Sequence, residues 1–343
     1  MLFQTAGFAM AAQAAKGTAA TSNFIRGRMT NSQITPMLDE LDTAGEHTGT
    51  HQRSTAVQST PIRAGYMADI NFGFRLYPEL IGYALIGVGF KVATTTDSPV
   101  VGANTHVFTL ADAEAEGWVS FMQALGEDTA RYERKVTDAR VSSLAIAASR
   151  TGITVTGNAM GIAEADSAGS ETVVADADAM LSQSNGSFTL TSSNLTALTL
   201  GTPRSHTLTI DNPLDDQEQD LHSFSRATFS PTGKTISGTM EGLVFSENIY
   251  KEFIYGSTAG VTPAIVIPKA AIAYAFNSPA MITGTTPYSM STAIAVALVT
   301  MDPFDITGGG HITYNLKYRM LDALATDPIT ITLVNGIASY AGS

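Results

Sequence analysis

The feature that most constrains this chain is the alternation of apolar and polar residues, which recurs in short runs along most of its length. Such alternation is typical of a β-strand with one buried and one exposed face. Gly, Asp, Asn and Pro between the runs favour turns. The runs predict a mainly β fold, and the clearest are VSSLAIAAS (141–149), GITVTGNAMG (152–161), TLTID (207–211), HITYNLKYRM (311–320) and PITITLVNG (328–336). Because only Arg150 and Thr151 separate the first two runs, we expect a β-hairpin there.

Helical periodicity is scarce, and its two clearest instances have the same arrangement. In FSENIYKEFIYG (245–256), Ser246 is a good N-cap, apolar residues follow at one-turn spacing, and Gly256 lies where a left-handed C-terminal residue is favoured. In LYPELIGYALIG (76–87), Pro78 suits the first helical position and Gly87 ends the apolar stripe. A strand-like run precedes each stretch. The sequence therefore predicts a short strand-then-helix unit that occurs twice.

The repeated unit predicts a duplicated domain. We expect two tandem domains of mainly β (α+β) class, residues 1–165 and 188–343, each with a short helix. Residues 166–187, rich in Ala, Ser, Asp and Gly, are interpreted as the linker. Residues 39–60 lack clear periodicity and are interpreted as a long loop. The alternative is a mixed fold with two unrelated amphipathic helices.

Composition excludes several kinds of function. The chain has no cysteine, which rules out disulfides, thiolate metal sites and cysteine nucleophiles. Its formal net charge of −12 argues against binding nucleic acid through phosphate contacts, which need Lys and Arg. Charged residues make up only 15% of the chain, compared with about 25% in an average soluble protein. No apolar run approaches the ~20 residues of a membrane-spanning helix, so we expect no membrane insertion.

Motifs of enzymes and cofactor sites are absent from the sequence. There is no nucleophile elbow, zinc-protease helix, phosphate-binding loop or dinucleotide fingerprint. His47 and His51 are four residues apart, but the glycines and threonines around them disfavour a helix that would aim both at one metal ion. The acidic run 211–220 lacks the glycine and the final glutamate of an EF-hand loop, although binding of Ca²⁺ there stays open. We expect no enzymatic activity and no cofactor.

Several segments, taken in order, resemble one family, the major tail tube proteins of bacteriophages with long, non-contractile tails. The resemblance covers most of the chain and is carried by AAKGTAAT (14–21), VSSLAIAASRTGITVTGNAMGIAE (141–164), SHTLTIDNPLDD (205–216), GKTISGTMEGLVFSENIYKEFIYG (233–256), AIVIPKA (264–270) and PITITLVNG (328–336). Residues 291–305 match no part of the family pattern that we can place.

The resemblance implies that each of the two domains is a tail-tube-like β-sandwich with a short helix packed on its sheet, and that the protein is a structural protein of the virion tail. In such proteins, subunits form rings that stack into a tube, through which double-stranded DNA passes during ejection without specific binding. A duplicated chain would build a pseudo-sixfold ring from three copies, and the acidic composition implies a negatively charged conduit. Tape measure, terminator and distal tail proteins would be further partners.

Contacts between subunits or between rings are expected from the two polar loops. The candidate contact residues are Glu40, Asp42, Glu46, His47, His51, Arg53, Asp215, Asp216, Glu218 and Asp220. A different self-assembling protein, such as a surface-layer or fibre subunit, would share the acidic, cysteine-free, β-rich composition and is the main alternative. A carbohydrate-binding sandwich is less consistent with a single tryptophan, Trp118.

Overall fold

The structure of the protein is a computed structural model. It describes residues 7–41, 62–96, 102–112, 117–125, 132–166, 173–176, 179–192, 203–215, 224, 226–263, 265, 269–302, 312–322 and 326–340. In this part of the chain, strands dominate and two short helices are present, as the alternating runs predicted.

The strands fall into two groups separated by a three-residue strand. The first half of the chain holds β1 (Gly7–Gln13), β2 (Phe24–Gly27), β3 (Met29–Leu41), β4 (Ile62–Arg75), β5 (Phe90–Thr96), β6 (Asn104–Leu110), β7 (Trp118–Leu125), β8 (Tyr132–Ser149) and β9 (Gly152–Asp166), followed by β10 (Val173–Ala175). The second half holds β11 (Ser182–Ser192), β12 (Ser205–Asp211), β13 (Leu214–Asp215), β14 (Ser230–Pro231), β15 (Thr235–Val244), β16 (Lys269–Thr283), β17 (Thr286–Met301), β18 (Thr313–Met320) and β19 (Ile329–Asn335). All five clearest alternating runs are confirmed as strands. The hairpin of β8 and β9 turns at Arg150 and Thr151 as predicted.

Strand pairing follows the same order in both halves. In the first half, β3, β4, β9 and β8 are hydrogen-bonded neighbours in that order. In the second half, β12, β15, β18 and β17 are neighbours in that order. Outside these sets of four, β1 pairs with β7 and β7 with β8, while β11 pairs with β16 and β16 with β17. The pairing order of one half is thus repeated in the other.

The halves are joined by backbone hydrogen bonds rather than by the linker alone. Strand β12 pairs with the C-terminal part of β8, from Ser205 opposite Ser149 to Asp211 opposite Ser143. The last strand, β19, pairs with β6, and β10 pairs in parallel with β2. The segment interpreted as a linker contains β10 and the start of β11. One cluster of buried apolar residues extends through both halves, from Phe8 to Tyr340.

The two helices follow equivalent strands but differ in burial. Helix α1 (Leu80–Gly87) follows β4, and all eight of its residues are buried. Helix α2 (Glu247–Tyr255) follows β15 and buries only Ile249 and Glu252. Ser246 is the N-cap of α2 and Gly256, at φ 73°, its left-handed C-cap, both as predicted. Helix α1 begins two residues after Pro78, with Glu79 as its N-cap, so Pro78 is not its first residue.

Candidate functional site: an assembly surface

The largest feature shared by the two halves is an eight-stranded region that we call the junction sheet. It consists of β3, β4, β9, β8, β12, β15, β18 and β17 in hydrogen-bonded order. One face is apolar and buried, with Phe72, Leu144, Leu208 and Met240 in the core. Because successive side chains of a strand point to opposite faces of the sheet, the polar residues that alternate with these apolar residues lie on the other face.

The polar face of the junction sheet consists mainly of hydroxyl, amide and small side chains. Residues opposite one another across its strands form rows that cross the boundary between the halves. One row contains Asn71, Asn158, Ser143, Asp211 and Thr235, and a parallel row contains Arg75, Thr154, Ala147, Thr207 and Thr239. These side chains are exposed or half-buried. The part of the face that contains these rows is therefore polar and accessible to solvent, whereas towards the loop end a small apolar cluster that includes Met67, Ile162 and Phe229 is buried.

Charge on this polar face is balanced in the part of the chain that the structure describes. From the row of Asp69 to the strand ends near Arg150, the exposed or half-buried strand residues on the face include three acidic and three basic side chains: Asp69, Asp211, Glu241, Arg75, Lys317 and Arg319. A fourth basic residue, Arg140 in the row of Asp69, is buried. Lys317 also forms an ion pair of 2.9 Å with Asp302. The net charge of −12 is therefore not concentrated on these strands. The negative charge expected for the conduit stays a prediction.

The junction sheet has two different ends. Strand β3 leads into β4 at one end of the sheet, which we call the loop end. Because neighbouring strands of the sheet are antiparallel, β12 leads through β13 and β14 into β15 at this same end. The turn between β8 and β9 lies at the opposite end, which we call the turn end. At the loop end the two halves touch, since the Tyr66 backbone N–H donates to the Phe224 carbonyl at 2.9 Å.

The structure describes two of the predicted contact residues. Glu40 lies in β3 and Asp215 in β13, both at the loop end. Asp42, Glu46, His47, His51, Arg53, Asp216, Glu218 and Asp220 lie outside the described residues. Their segments nevertheless connect strands that terminate at the loop end. The predicted loop was too long at its start, because β3 continues to Leu41.

The outer edge of β3 is unpaired among the described strands. Strand β3 pairs with β4 along residues 29–41. Its counterpart β12 pairs on both sides, with β15 of its own half and β8 of the other half. Two carbonyl groups of β3 accept side-chain hydrogen bonds instead, that of Ser32 from Gln123 and that of Ile34 from Arg134. An edge without a partner strand can recruit a further strand.

Two clusters of buried polar side chains lie in the interior, and sequence reasoning missed both. The first surrounds His206, which lies opposite Ala148 of the other half, with its Nε2 2.9 Å from the Tyr318 hydroxyl. Burial removes the imidazole from water and lowers the pKa of His206 to about 4. A neutral ring is therefore favoured at neutral pH.

The second cluster surrounds Tyr340, near the C-terminus. The Tyr340 hydroxyl donates to the Glu79 carbonyl at 2.7 Å and accepts from Asn335 Nδ2, also at 2.7 Å. Asn335 Oδ1 lies 3.0 Å from Nε2 of His106. Burial is the main cause that lowers the pKa of His106. These partners lie up to 261 positions apart, so no local spacing could have indicated them.

Two further kinds of feature are absent from the described ranges. No group of three or more His, Asp or Glu side chains in that part of the chain could hold a metal ion. No helix there is long and apolar enough to cross a membrane.

Comparison with known proteins gives the family. A family model described as phage tail tube protein matches residues 4–320. The chain belongs to the phage tail tube protein family. No curated protein matches it. As a tail tube protein, it is a structural component of the virion tail. The predicted resemblance and location are thus confirmed, and the junction sheet of this tail tube protein is its candidate assembly surface.

Proposed function

We propose that three copies of this tail tube protein close into a ring with pseudo-sixfold symmetry, and that rings stack into a tube for double-stranded DNA. The observation that carries the proposal is the pairing of β8 with β12. It joins two sets of four strands that have the same order, 3-4-9-8 and 12-15-18-17. Each chain would then contain one side-by-side contact between its own two halves. It would form a second contact of the same kind with the neighbouring chain in the ring.

The free edge of β3 supports ring closure. Strand β12 is the counterpart of β3, and its outer edge is covered by the preceding half of the chain. By the same relation, the second half of a neighbouring chain would cover the outer edge of β3. A head-to-tail contact of this kind closes by rotation and leaves no free edge in the ring. This arrangement rests on the duplicated-domain organisation, 1–165 and 188–343, which the repeated pairing order supports.

The loop end supports contacts between rings. Glu40 lies near the end of β3, and the segment that follows β3 contains Asp42, Glu46, His47, His51 and Arg53. The segment that follows β12 contains Asp215, Asp216, Glu218 and Asp220. Both segments leave the same end of the sheet, so we assign them to the surface that meets the next ring. Tape measure, terminator and distal tail proteins would contact the ends of the finished tube.

The polar face of the junction sheet is proposed to line the conduit. Its hydroxyl and amide groups are neutral, and its few charges are balanced. Tight binding of DNA requires many Lys and Arg contacts with phosphates, and this face offers three basic residues with three acidic ones beside them. DNA would then pass along it without being retained. This assignment needs neither a cofactor nor enzymatic activity.

Native mass spectrometry and negative-stain electron microscopy of the purified chain test the proposal. We expect a species of three chains of 36.0 kDa each, and annuli with a central hole that stack at higher concentration. A stable monomer at all concentrations, flat lattices, or solid fibres without a channel would contradict it. Flat lattices or solid fibres would instead favour a surface-layer or fibre subunit.

A further inference from the structure

The outer side of β3 is capped by two side chains, Gln123 of β7 and Arg134 of β8, which we call the edge cap. Gln123 Nε2 donates to the Ser32 carbonyl at 3.4 Å, and Arg134 Nη2 donates to the Ile34 carbonyl. Gln123 and Arg134 lie opposite each other on their strands, and Arg134 Nε donates to Gln123 Oε1 at 3.1 Å. The two side chains therefore act together on neighbouring positions of the edge.

Pro36 extends the same protection along β3. In an antiparallel strand, residues two apart direct their backbone groups to the same side, so Pro36 follows Ser32 and Ile34 on the capped side. Proline has no backbone N–H, which removes one donor from this side of the strand. Prolines and covering groups are means by which native proteins keep a sheet edge from pairing with unrelated strands. The edge of β3 is thus closed in the single subunit.

Strand β12, the counterpart of β3, has a partner strand on the equivalent side. Its residues Ser205–Asp211 pair with β8 of the preceding half. In the order of the junction sheet, the counterpart of β8 is β17, at the other margin of the sheet. Residues 299–301 of β17 pair with β18 on one side and with no described strand on the other. The two margins of the junction sheet are therefore the counterparts of the two strands that already pair inside the chain.

Release of the edge cap leaves no charge without a partner. The Arg134 guanidinium also lies 3.5 Å from Glu164 Oε1, and Glu164 accepts a further hydrogen bond from the Tyr66 hydroxyl. A strand that replaces the cap brings its own N–H groups to the Ser32 and Ile34 carbonyls. The exchange replaces side-chain hydrogen bonds with backbone ones, so the cap weakens strand pairing at β3 without preventing it.

We propose that β3 pairs with residues 299–301 of β17 of a second copy of this chain, and that this pairing displaces the edge cap. The inference rests on the proposed function, since it names the strands that close the ring. It adds a cost to strand pairing at β3, which favours the neighbouring copy over strands that offer fewer contacts.

Replacing Arg134→Lys tests the inference, with Arg26→Lys as the matched control. Lysine keeps a positive charge beside Glu164 but lacks the planar guanidinium that reaches several acceptors at once. Arg26 is an exposed residue of β2, which is not part of the junction sheet. We expect Arg134→Lys to form rings at a concentration about threefold or more below that of the parent chain, because the cap stabilises only the single subunit. Arg26→Lys should match the parent chain in native mass spectrometry across a concentration series.

Hydrogen–deuterium exchange of the parent chain is a second measurement that needs no substitution. Ring formation should slow exchange at β3 and at residues 299–301, whereas β12, already paired on both sides, should exchange equally in rings and in single subunits. If Arg134→Lys impairs folding by circular dichroism, the exchange of the parent chain decides alone.

The outcomes separate the inference from the proposed function. Rings in which exchange at β3 is unchanged, or equal ring formation by Arg134→Lys and the parent chain, would overturn the inference and leave the proposed function standing. Weaker ring formation by a folded Arg134→Lys variant would mean that the cap belongs to the assembled ring, and would also overturn the inference. Absence of both rings and tubes from the parent chain would overturn the proposed function, and the inference with it.

Discussion

Individual polar residues in the interior decide how the two halves meet. His206 and Tyr340 are both nearly inaccessible to solvent, and each makes hydrogen bonds to residues far away in the sequence. A buried polar group is costly unless it is hydrogen-bonded. The Tyr340 cluster therefore favours one arrangement of the halves, whereas the bond of His206 to Tyr318 favours one packing within the second half. The effect of burying His206 on the free energy of unfolding can be tested by varying the pH, because burial opposes the charged form of the imidazole.

We expect stability to fall as pH decreases from about 6.5 to about 4, in part because of His206. The unfolded chain binds a proton at the ordinary histidine pKa of 6.5, whereas the pKa of folded His206 is lowered to about 4. Above 6.5 the neutral ring stabilises the folded state fully, and this contribution is lost as pH falls through the folded pKa. The loss amounts to about 3 kcal/mol. Urea unfolding of dissociated subunits across this pH range measures it.

The control for this prediction is His206→Gln, which keeps a hydrogen-bonding side chain opposite Tyr318 but does not titrate. Its stability should depend less steeply on pH between 6.5 and 4, although His106, whose pKa is also lowered, will leave part of the slope. An unchanged slope in the variant would show that His206 is not the group responsible.

At the level of elements, the two equivalent helices have taken different roles. Sequence predicted one apolar stripe on each, and α2 has it. Helix α1 is instead buried on all sides, among β1, β2, β5, β7 and β8 and beneath Tyr340. Gly82 is needed there, because a Cβ atom would lie 2.3 Å from the Tyr340 ring. Glycine costs about 1 kcal/mol in a helix compared with alanine, and here it makes room for the residue that closes the core.

Truncating one apolar residue on each helix should therefore have unequal effects. Leu85→Ala in α1 removes a fully buried side chain and should lower the free energy of unfolding by about 2–5 kcal/mol. Ile254→Ala in α2 affects a half-buried side chain and should cost about 1 kcal/mol. Urea titration of unassembled protein gives both values. Equal losses would mean that α2 is packed as completely as α1 in the isolated subunit.

On the scale of the whole molecule, the halves form one hydrogen-bonded network of strands with a free edge at β3 and loops gathered at one end. An exposed edge favours uncontrolled association in a monomer. In a closed ring the same edge is a defined contact. The charge-poor composition fits a subunit whose surface is largely covered by neighbours.

Replacing residues 44–59 with a short Gly-Ser turn should separate ring formation from stacking. The paired strands end at Leu41 and Ile62, so the β3–β4 hairpin would remain, and we expect rings that no longer form tubes at concentrations where the parent chain does. Electron microscopy reads out both states. Tubes of normal length from the shortened chain would show that this segment is not part of the contact between rings.

Part of this structure was readable from sequence because it is local. The hairpin at Arg150, the cap at Ser246 and the left-handed Gly256 depend on a few neighbouring residues, and all three were predicted. The end of β3 at Leu41 was not predicted. Asp39 and Glu40 are residue types that usually favour loops, but β3 continues through them because it pairs with β4. The contact residues after Leu41 stay predictions.

Sequence by itself determined that this protein is mainly β, where the β8–β9 hairpin turns, where α2 begins and ends, and which family the chain belongs to, because these properties follow from residue periodicity, turn chemistry and ordered motifs. Only the tertiary structure decided that β12 pairs with β8, that the polar face carries balanced charge, and that Tyr340 closes over α1. The period of a strand specifies which side chains share a face, but the strand that pairs with it is chosen by how all the apolar faces can be buried together.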